Sequence, residues 1–171
     1  MQSRVNNNTP PATESTSTRQ SGRTKIDVSI ANQELTVSRN GETLQTYPIS
    51  SSRFGIGSDE GSFKTPTGRF RIIQKIGGDL PNGTIFRSRV PLGPEDPLPA
   101  TDDLVMSRIL WLDGLDEGNT NTRERFIYIH GTKHEGKIGA PASHGCIRMR
   151  NSDVIELFEL VDETTEVVIR E

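Results

Sequence analysis

At 171 residues the chain has the length of one domain, and its 20 basic against 23 acidic residues leave a formal charge of −3. That balance argues against a nucleic-acid binder, which needs a basic face. No run of eighteen apolar residues exists, so no transmembrane helix is expected, and one cysteine permits no internal disulfide.

Residues 1–24 are rich in Asn, Ser, Thr, Gln and Pro and almost devoid of apolar side chains. They bury too little to offset ordering, so a disordered tail or linker is expected there, with the domain over 25–171. The N-terminus lacks the apolar core of a signal peptide. This leaves an export signal already removed, one absent from the gene product, or a cytoplasmic location.

Residues 25–30 and 33–38 alternate apolar and polar side chains, as half-buried strands do. Asn40-Gly41 is a two-residue hairpin signal, and 43–49 returns as a third strand. Three strands with no helix between them predict antiparallel pairing. Residues 50–68 read as a Ser/Gly-rich loop; Gly55-Ile56-Gly57 lacks the third glycine and following helix of a dinucleotide fingerprint. A strand is expected over 69–76. The stretch 77–100 carries five prolines, which disfavour regular structure, and a connection of that length suggests that 77–107 borders a substrate cleft.

Residues 108–112 read as a strand whose Trp111 belongs in the core. Asp113, Asp116 and Glu117 begin an acidic, Asn-rich stretch read as solvated loop. The run 126–129 predicts a buried strand ending at His130, followed by a polar loop with His134 at the surface. Residues 151–161 form the one clear helix, with Asn151 or Ser152 as cap and Val154, Leu157, Phe158 and Val161 as its core-facing stripe. Residues 164–170 close the chain as a strand. The pattern is mainly β with one short helix.

The chemistry concentrates in Ser143-His144-Gly145-Cys146-Ile147-Arg148-Met149 and the upstream Ile129-His130-Gly131-Thr132. A thiol attacks poorly until a base takes its proton, and imidazole suits that exchange near neutral pH. His144 lies two residues from Cys146, so on an extended segment the two side chains run parallel and do not meet. His130, at a strand end, can face a loop from an adjacent strand and is the favoured base. The Gly131 carbonyl can fix its tautomer, as the carboxylate does in a serine triad. His144 sits beside Gly145, so backbone N–H groups around Cys146 can converge on a developing oxyanion. A lone cysteine is otherwise a small buried hydrophobe. A zinc site from His130, His134, His144 and Cys146 would need His130 and His134 on one helix face, which Gly131 and the preceding strand oppose.

These residues resemble the signature of the L,D-transpeptidase (YkuD-type) catalytic domain: a histidine, a gap, then Ser/Thr-His-Gly-Cys, an apolar residue and Arg. Thr65-Pro66-Thr67-Gly68 resembles the family's upstream turn, and Asn151 and Asp153 match the polar residues after its arginine. The resemblance covers residue 25 to the C-terminus. It implies a β-sandwich-like domain and a cysteine enzyme acting on peptidoglycan tetrapeptide stems. Cys146 attacks the bond after the third residue, D-Ala leaves, and an amine takes the acyl group from the thioester. On this reading Cys146 is nucleophile, His130 base and Gly131 its orienting carbonyl, the backbone amides of His144, Gly145 and Cys146 are oxyanion-hole candidates, and Arg148, Ser143 and Thr132 support the site or the substrate. No cofactor or metal is implied, the partners are stem peptides, and the family places the protein in the cell envelope or periplasm. Water as acceptor would instead give an L,D-carboxypeptidase or amidase, and a non-catalytic peptidoglycan-binding module or a zinc-binding structural domain are readings of other classes.

Overall fold

The computed structural model describes residues 22–171, so the tail expected at the N-terminus lies, through residue 21, outside the described residues. The fold is mainly β with one α-helix. β1 (Thr24–Ser29), β2 (Glu34–Arg39) and β3 (Glu42–Pro48) form the expected antiparallel meander. In β1, Ile26 and Val28 point into the core, while Lys25 and Asp27 face outward and pair at 3.2 Å. Asn40 and Gly41, with φ of 53° and 81°, make the left-handed two-residue turn that Asn-Gly favours.

β4 (Gly68–Ile76) follows, then β5 (Ile85–Arg87) and β6 (Val90–Pro91), and the long β7 (Val105–Gly114). The β5–β6 hairpin corrects the expectation of an irregular 77–100 stretch. Pro81 precedes it, Pro91 ends β6 and the other three prolines follow, and its turn uses Ser88 and Arg89, both at positive φ, without the glycine that would have marked it. β8 (Tyr128–Gly131), β9 (Ile147–Met149), α1 (Asn151–Leu160) and β10 (Glu166–Arg170) complete the chain.

One continuous sheet runs β3-β2-β1-β10-β4-β7-β5-β6, with β8 on the other edge of β7 and β9 beside β8. Two pairings are parallel, β1 with β10 and β8 with β9. The sheet nearly closes on itself. Ser50, just past β3, bridges to Arg148 of β9, and Ser52 bridges to Ser143. Strands from both ends therefore share one core, which includes Ile26, Leu35, Phe70, Leu110, Ile129 and Ile147. Full burial of each such side chain contributes about 1.5–3 kcal/mol.

α1 packs Val154, Leu157 and Phe158 into that core beside β7 and β8. Its caps differ from expectation. Arg150 holds the N-cap position, and the Asn151 amide donates to Glu135 Oε1 at 2.7 Å, because the Asn151 side chain is engaged elsewhere. At the other end Lys75 Nζ donates to the carbonyls of Phe158 and Val161, both at 2.6 Å, placing a cation where the helix dipole is negative.

A smaller cluster lies on the opposite face of β7–β8, with Phe86, Ile109 and Tyr128 packed by Trp111 and Cys146. Trp111 is half-buried there, in place of the main core. It lies 6.0 Å from the rings of both Phe126 and Tyr128 and beneath the Arg89 guanidinium at 4.5 Å. Phe126, expected inside a buried strand, is 50% exposed with φ of 55° and precedes β8. Asp113 and Asp116, expected in solvated loop, pair with Arg71 and Arg69 on β4.

Candidate active site

Parallel pairing of β8 and β9 sets Ile129 opposite Ile147 and His130 opposite Arg148. Successive strand residues face opposite sides, and paired residues share a side. Ile129 and Ile147 enter the main core, so His130 and Arg148 project from the other face. Cys146, one residue before β9, packs on that face with Tyr128. The thiol and His130 are therefore diagonal neighbours across two strands.

His130 is buried, and its Nδ1 lies 2.6 Å from the Gly131 carbonyl. A carbonyl only accepts, so Nδ1 carries the proton and Nε2 keeps its lone pair. Burial holds the imidazole below its ordinary pKa. Asp103 and the Gly131 carbonyl pull it upward, and Arg148 pushes it down.

Cys146 Sγ accepts from the Tyr128 amide at 3.3 Å and donates to the Phe126 carbonyl at 3.4 Å. The left-handed backbone of Phe126, costly for a bulky residue, carries that carbonyl. Burial pushes the thiol up to about 12, opposed by the Tyr128 amide and by Arg148 and Arg125. Both shifts favour the uncharged thiol and imidazole over the ion pair.

Gly145, between His144 and Cys146, has φ of +125° and breaks the strand alternation, so the two side chains are not the parallel neighbours of an extended segment. The His144 ring lies 5.8 Å from Phe54 and 5.9 Å from Phe63. Nε2 accepts from Arg53 at 3.1 Å, since a guanidinium only donates, so Nδ1–H donates to Asp103 at 3.2 Å. Both ring nitrogens are engaged.

The amide of Gly145 donates to Ser143 Oγ at 3.2 Å, and Ser143 Oγ donates to the Cys146 carbonyl at 2.6 Å. No hydrogen bond from the amides of His144 or Cys146 occurs among the described residues. Thr65 Oγ1 donates to the Gly145 carbonyl at 2.9 Å and accepts from the Ser52 amide, so the Thr-Pro-Thr-Gly turn fixes this peptide. Thr132 is buried, with Oγ1 accepting from the His134 amide and its carbonyl accepting from Asn151.

Arg148 is buried and meets Asp103 two-fold, at 2.9 and 2.8 Å. Burial opposes ionisation of Asp103, but its bonds to Arg148 and the charges around it hold the carboxyl below the usual range. Neighbouring Asp102 pairs with Lys133 at 2.7 Å and with His134 at 3.0 Å, so His134 is half-buried against the segment before β7. Nothing in the local sequence marks Asp102 or Asp103 as a site residue beyond their place in the segment 77–107 expected to border a cleft. Beside His144 a cavity of about 640 Å³ opens, lined by Phe63, Ile127, Arg125, Glu60 and Glu124 among others.

Gly131 is required for space. A Cβ there would lie 2.7 Å from the Met106 carbonyl and 2.3 Å from Asn151 Oδ1. Gly131→Ala is expected to destabilise the domain by about 1–3 kcal/mol, read by denaturant unfolding; an unchanged midpoint would show that β7 and α1 yield freely.

The family model of the L,D-transpeptidase catalytic domain, YkuD, matches residues 23–169, and the chain belongs to that family. It is 33% identical over 144 residues to YkuD of Bacillus subtilis (strain 168), whose name assigns it to the L,D-transpeptidases, covering 84% of this chain and 64% of that one. Similarity to YqjB of the same organism reaches 34% over 108 residues, covering 61% and 51% of the two chains. The chain thus spans between half and two thirds of these relatives. Among solved structures, L,D-transpeptidase 3 from Mycobacterium tuberculosis, in complex with a faropenem-derived adduct, superposes with a TM-score of 0.57 at 20% identity, covering 88% of this chain and 61% of the other. At that identity the likeness is one of fold.

Proposed function

We propose that the protein is a cysteine-dependent L,D-transpeptidase acting on peptidoglycan tetrapeptide stems, with transfer to an amine acceptor in cell-wall crosslinking or remodelling. The observation that carries this is the short Nδ1–H bond from His130 to the Gly131 carbonyl, which leaves Nε2 as a free base on the face that bears Cys146. His130 Nε2 takes the thiol proton as Sγ attacks the carbonyl carbon of the third stem residue. Developing negative charge on the carbonyl oxygen is met by the uncommitted amides of His144 and Cys146. The C–N bond then breaks, His130 returns the proton to the departing D-Ala amine, and a thioester remains. An incoming amine attacks the thioester, gives up a proton through His130, and the thiol is restored. Membership of the family supports the substrate class and an envelope location. No helix among the described residues is long and apolar enough to cross a membrane.

The test is intact-protein mass spectrometry after incubation with a disaccharide-tetrapeptide and, separately, a carbapenem. An adduct on Cys146 with release of D-Ala is expected. A crosslinked or exchanged product marks an amine acceptor, and a tripeptide marks hydrolysis. No adduct on a titratable thiol would overturn the proposal.

Burial favours the uncharged pair over a thiolate–imidazolium pair. Only thiolate alkylates, so Cys146 at pH 7 should react with iodoacetamide more slowly than a free cysteine, with a rate still rising at pH 9. A fast reaction that levels off near neutrality would reveal a stored thiolate–imidazolium pair. Turnover needs unprotonated His130, and burial disfavours its imidazolium. The acid limb of kcat/KM should therefore fall below the ordinary imidazole value of 6.5. A limb above it would contradict the assignment.

A further inference from the structure

We propose that Asp103 is the positioning residue of this site: it anchors the Cys146 segment through Arg148 and His144, and it supplies the negative charge that balances Arg148 beside His130. The inference rests on the transpeptidase reading for its kinetic readout, but not for its physical one.

Arg148 projects from β9 directly opposite His130 and is buried, with its side chain only 3% exposed. A buried guanidinium without a counter-charge is strongly unfavourable. Asp103 supplies that charge through two contacts with Arg148, from Nε at 2.9 Å and Nη2 at 2.8 Å. Its Oδ2 also accepts from His144 Nδ1 at 3.2 Å. One carboxylate thus holds residues on both sides of Cys146, and with them the two amides left uncommitted.

The electrostatic argument runs in parallel. A cation facing His130 opposes protonation of Nε2, the event on which attack depends. Asp103 offsets that field. On the same face lie the Cys146 thiol, from the segment before β9, and the Tyr128 phenol on β8, which accepts from Arg89 Nη1 at 3.0 Å, while the Gly131 carbonyl holds Nδ1 of His130. On β7 the nearest charged side chain in sequence to Ile109, the partner of His130, is Arg108. It donates to the carbonyls of Leu80 and Ser107 and lies over Phe158, on the helix side. Asp102, one residue earlier, reaches the segment after β8 through Lys133 and His134, and its side chain is 77% exposed. It therefore makes the natural control.

The experiment compares Asp103→Asn, Asp103→Glu and Asp102→Asn with the wild type. Two readouts are used: the titration of the His130 ring by NMR, practicable with three histidines in the chain, and steady-state kinetics on a disaccharide-tetrapeptide. Removing the charge in Asp103→Asn should lower the pH at which His130 titrates by about one unit. It should reduce kcat by about tenfold to a hundredfold, with little change in KM. Asp103→Glu keeps the charge but displaces it by one methylene, so the titration should return near wild type while kcat stays reduced. Asp102→Asn should leave both unchanged. An unshifted His130 titration in Asp103→Asn, or a loss confined to KM, would overturn the proposal. Should Asp103→Asn fail to fold, wild-type kcat in Asp103→Glu would overturn it instead. A wild type without transferase activity would sink the transpeptidase reading and leave the titration to decide the role of Asp103.

Discussion

Cys146→Ser should lose acyl-enzyme formation altogether, with turnover down by about 10⁴-fold or more and the domain still folded. The hydroxyl is far less acidic than a thiol, and His130, with its basicity reduced by burial, is a weak base to draw its proton. The substitution replaces one small atom in a half-buried position, so thermal unfolding should barely move. Loss of the carbapenem adduct in the mass spectrum, alongside an unchanged melting curve, is the expected result. Retained transfer would place the nucleophile elsewhere.

His130→Ala should lower kcat by about a hundredfold or more, while His144→Ala costs much less. The contrast follows from the hydrogen bonds. His130 has one nitrogen committed to a carbonyl and the other unoccupied, as a base requires. His144 has both committed, to Arg53 and Asp103. Its removal loosens the Phe54–Phe63 contact and frees part of Asp103, which argues for a modest loss of turnover. The reverse order of effects, measured on the same tetrapeptide, would reassign the base.

The sequence made the local signals plain and the remote pairings invisible. Alternation revealed β1 and β2, Asn40-Gly41 marked its turn, and the helical stripe of α1 was evident. Each of these depends on residues a few positions apart. The β5–β6 hairpin was missed because Ser88 and Arg89 occupy left-handed positions that glycine or asparagine would have advertised. Asn151 looked like a cap because its residue type favours one. In the fold its side chain instead joins Ser107, Thr132 and Glu135, and the Glu135 carboxylate takes the helix amide. Parallel pairing of β1 with β10 and of β8 with β9 leaves no periodic trace. At the site, the residue types around Cys146 and His130 pointed to thiol chemistry. What Asp103 touches could not be read, since Arg148 and His144 lie more than forty positions away.

The near-closure of the sheet carries a consequence for how the protein opens. The two bridges from Ser50 and Ser52 to the strand and loop around Cys146 form a seam, and the Ser50 hydroxyl crosses it to the carbonyl of Ala140, 90 residues away in the chain. Contacts of such long separation carry a large loop-closure entropy and form late in folding. Backbone hydrogen bonds cross the seam from Gly139 to Ile49, in both directions between Ser50 and Arg148, from Ala142 and Ser143 to Ser51, and from Arg53 to Ser143, and Ile49, Ser50, Ser51, Ser143 and Arg148 are all buried. The cysteine segment is its far margin. A seam buried and bonded in this way should open only with the domain, so the amides of Ser50 and Arg148 should exchange as slowly as those of the central strands, and denaturant should extinguish activity and fold in one transition.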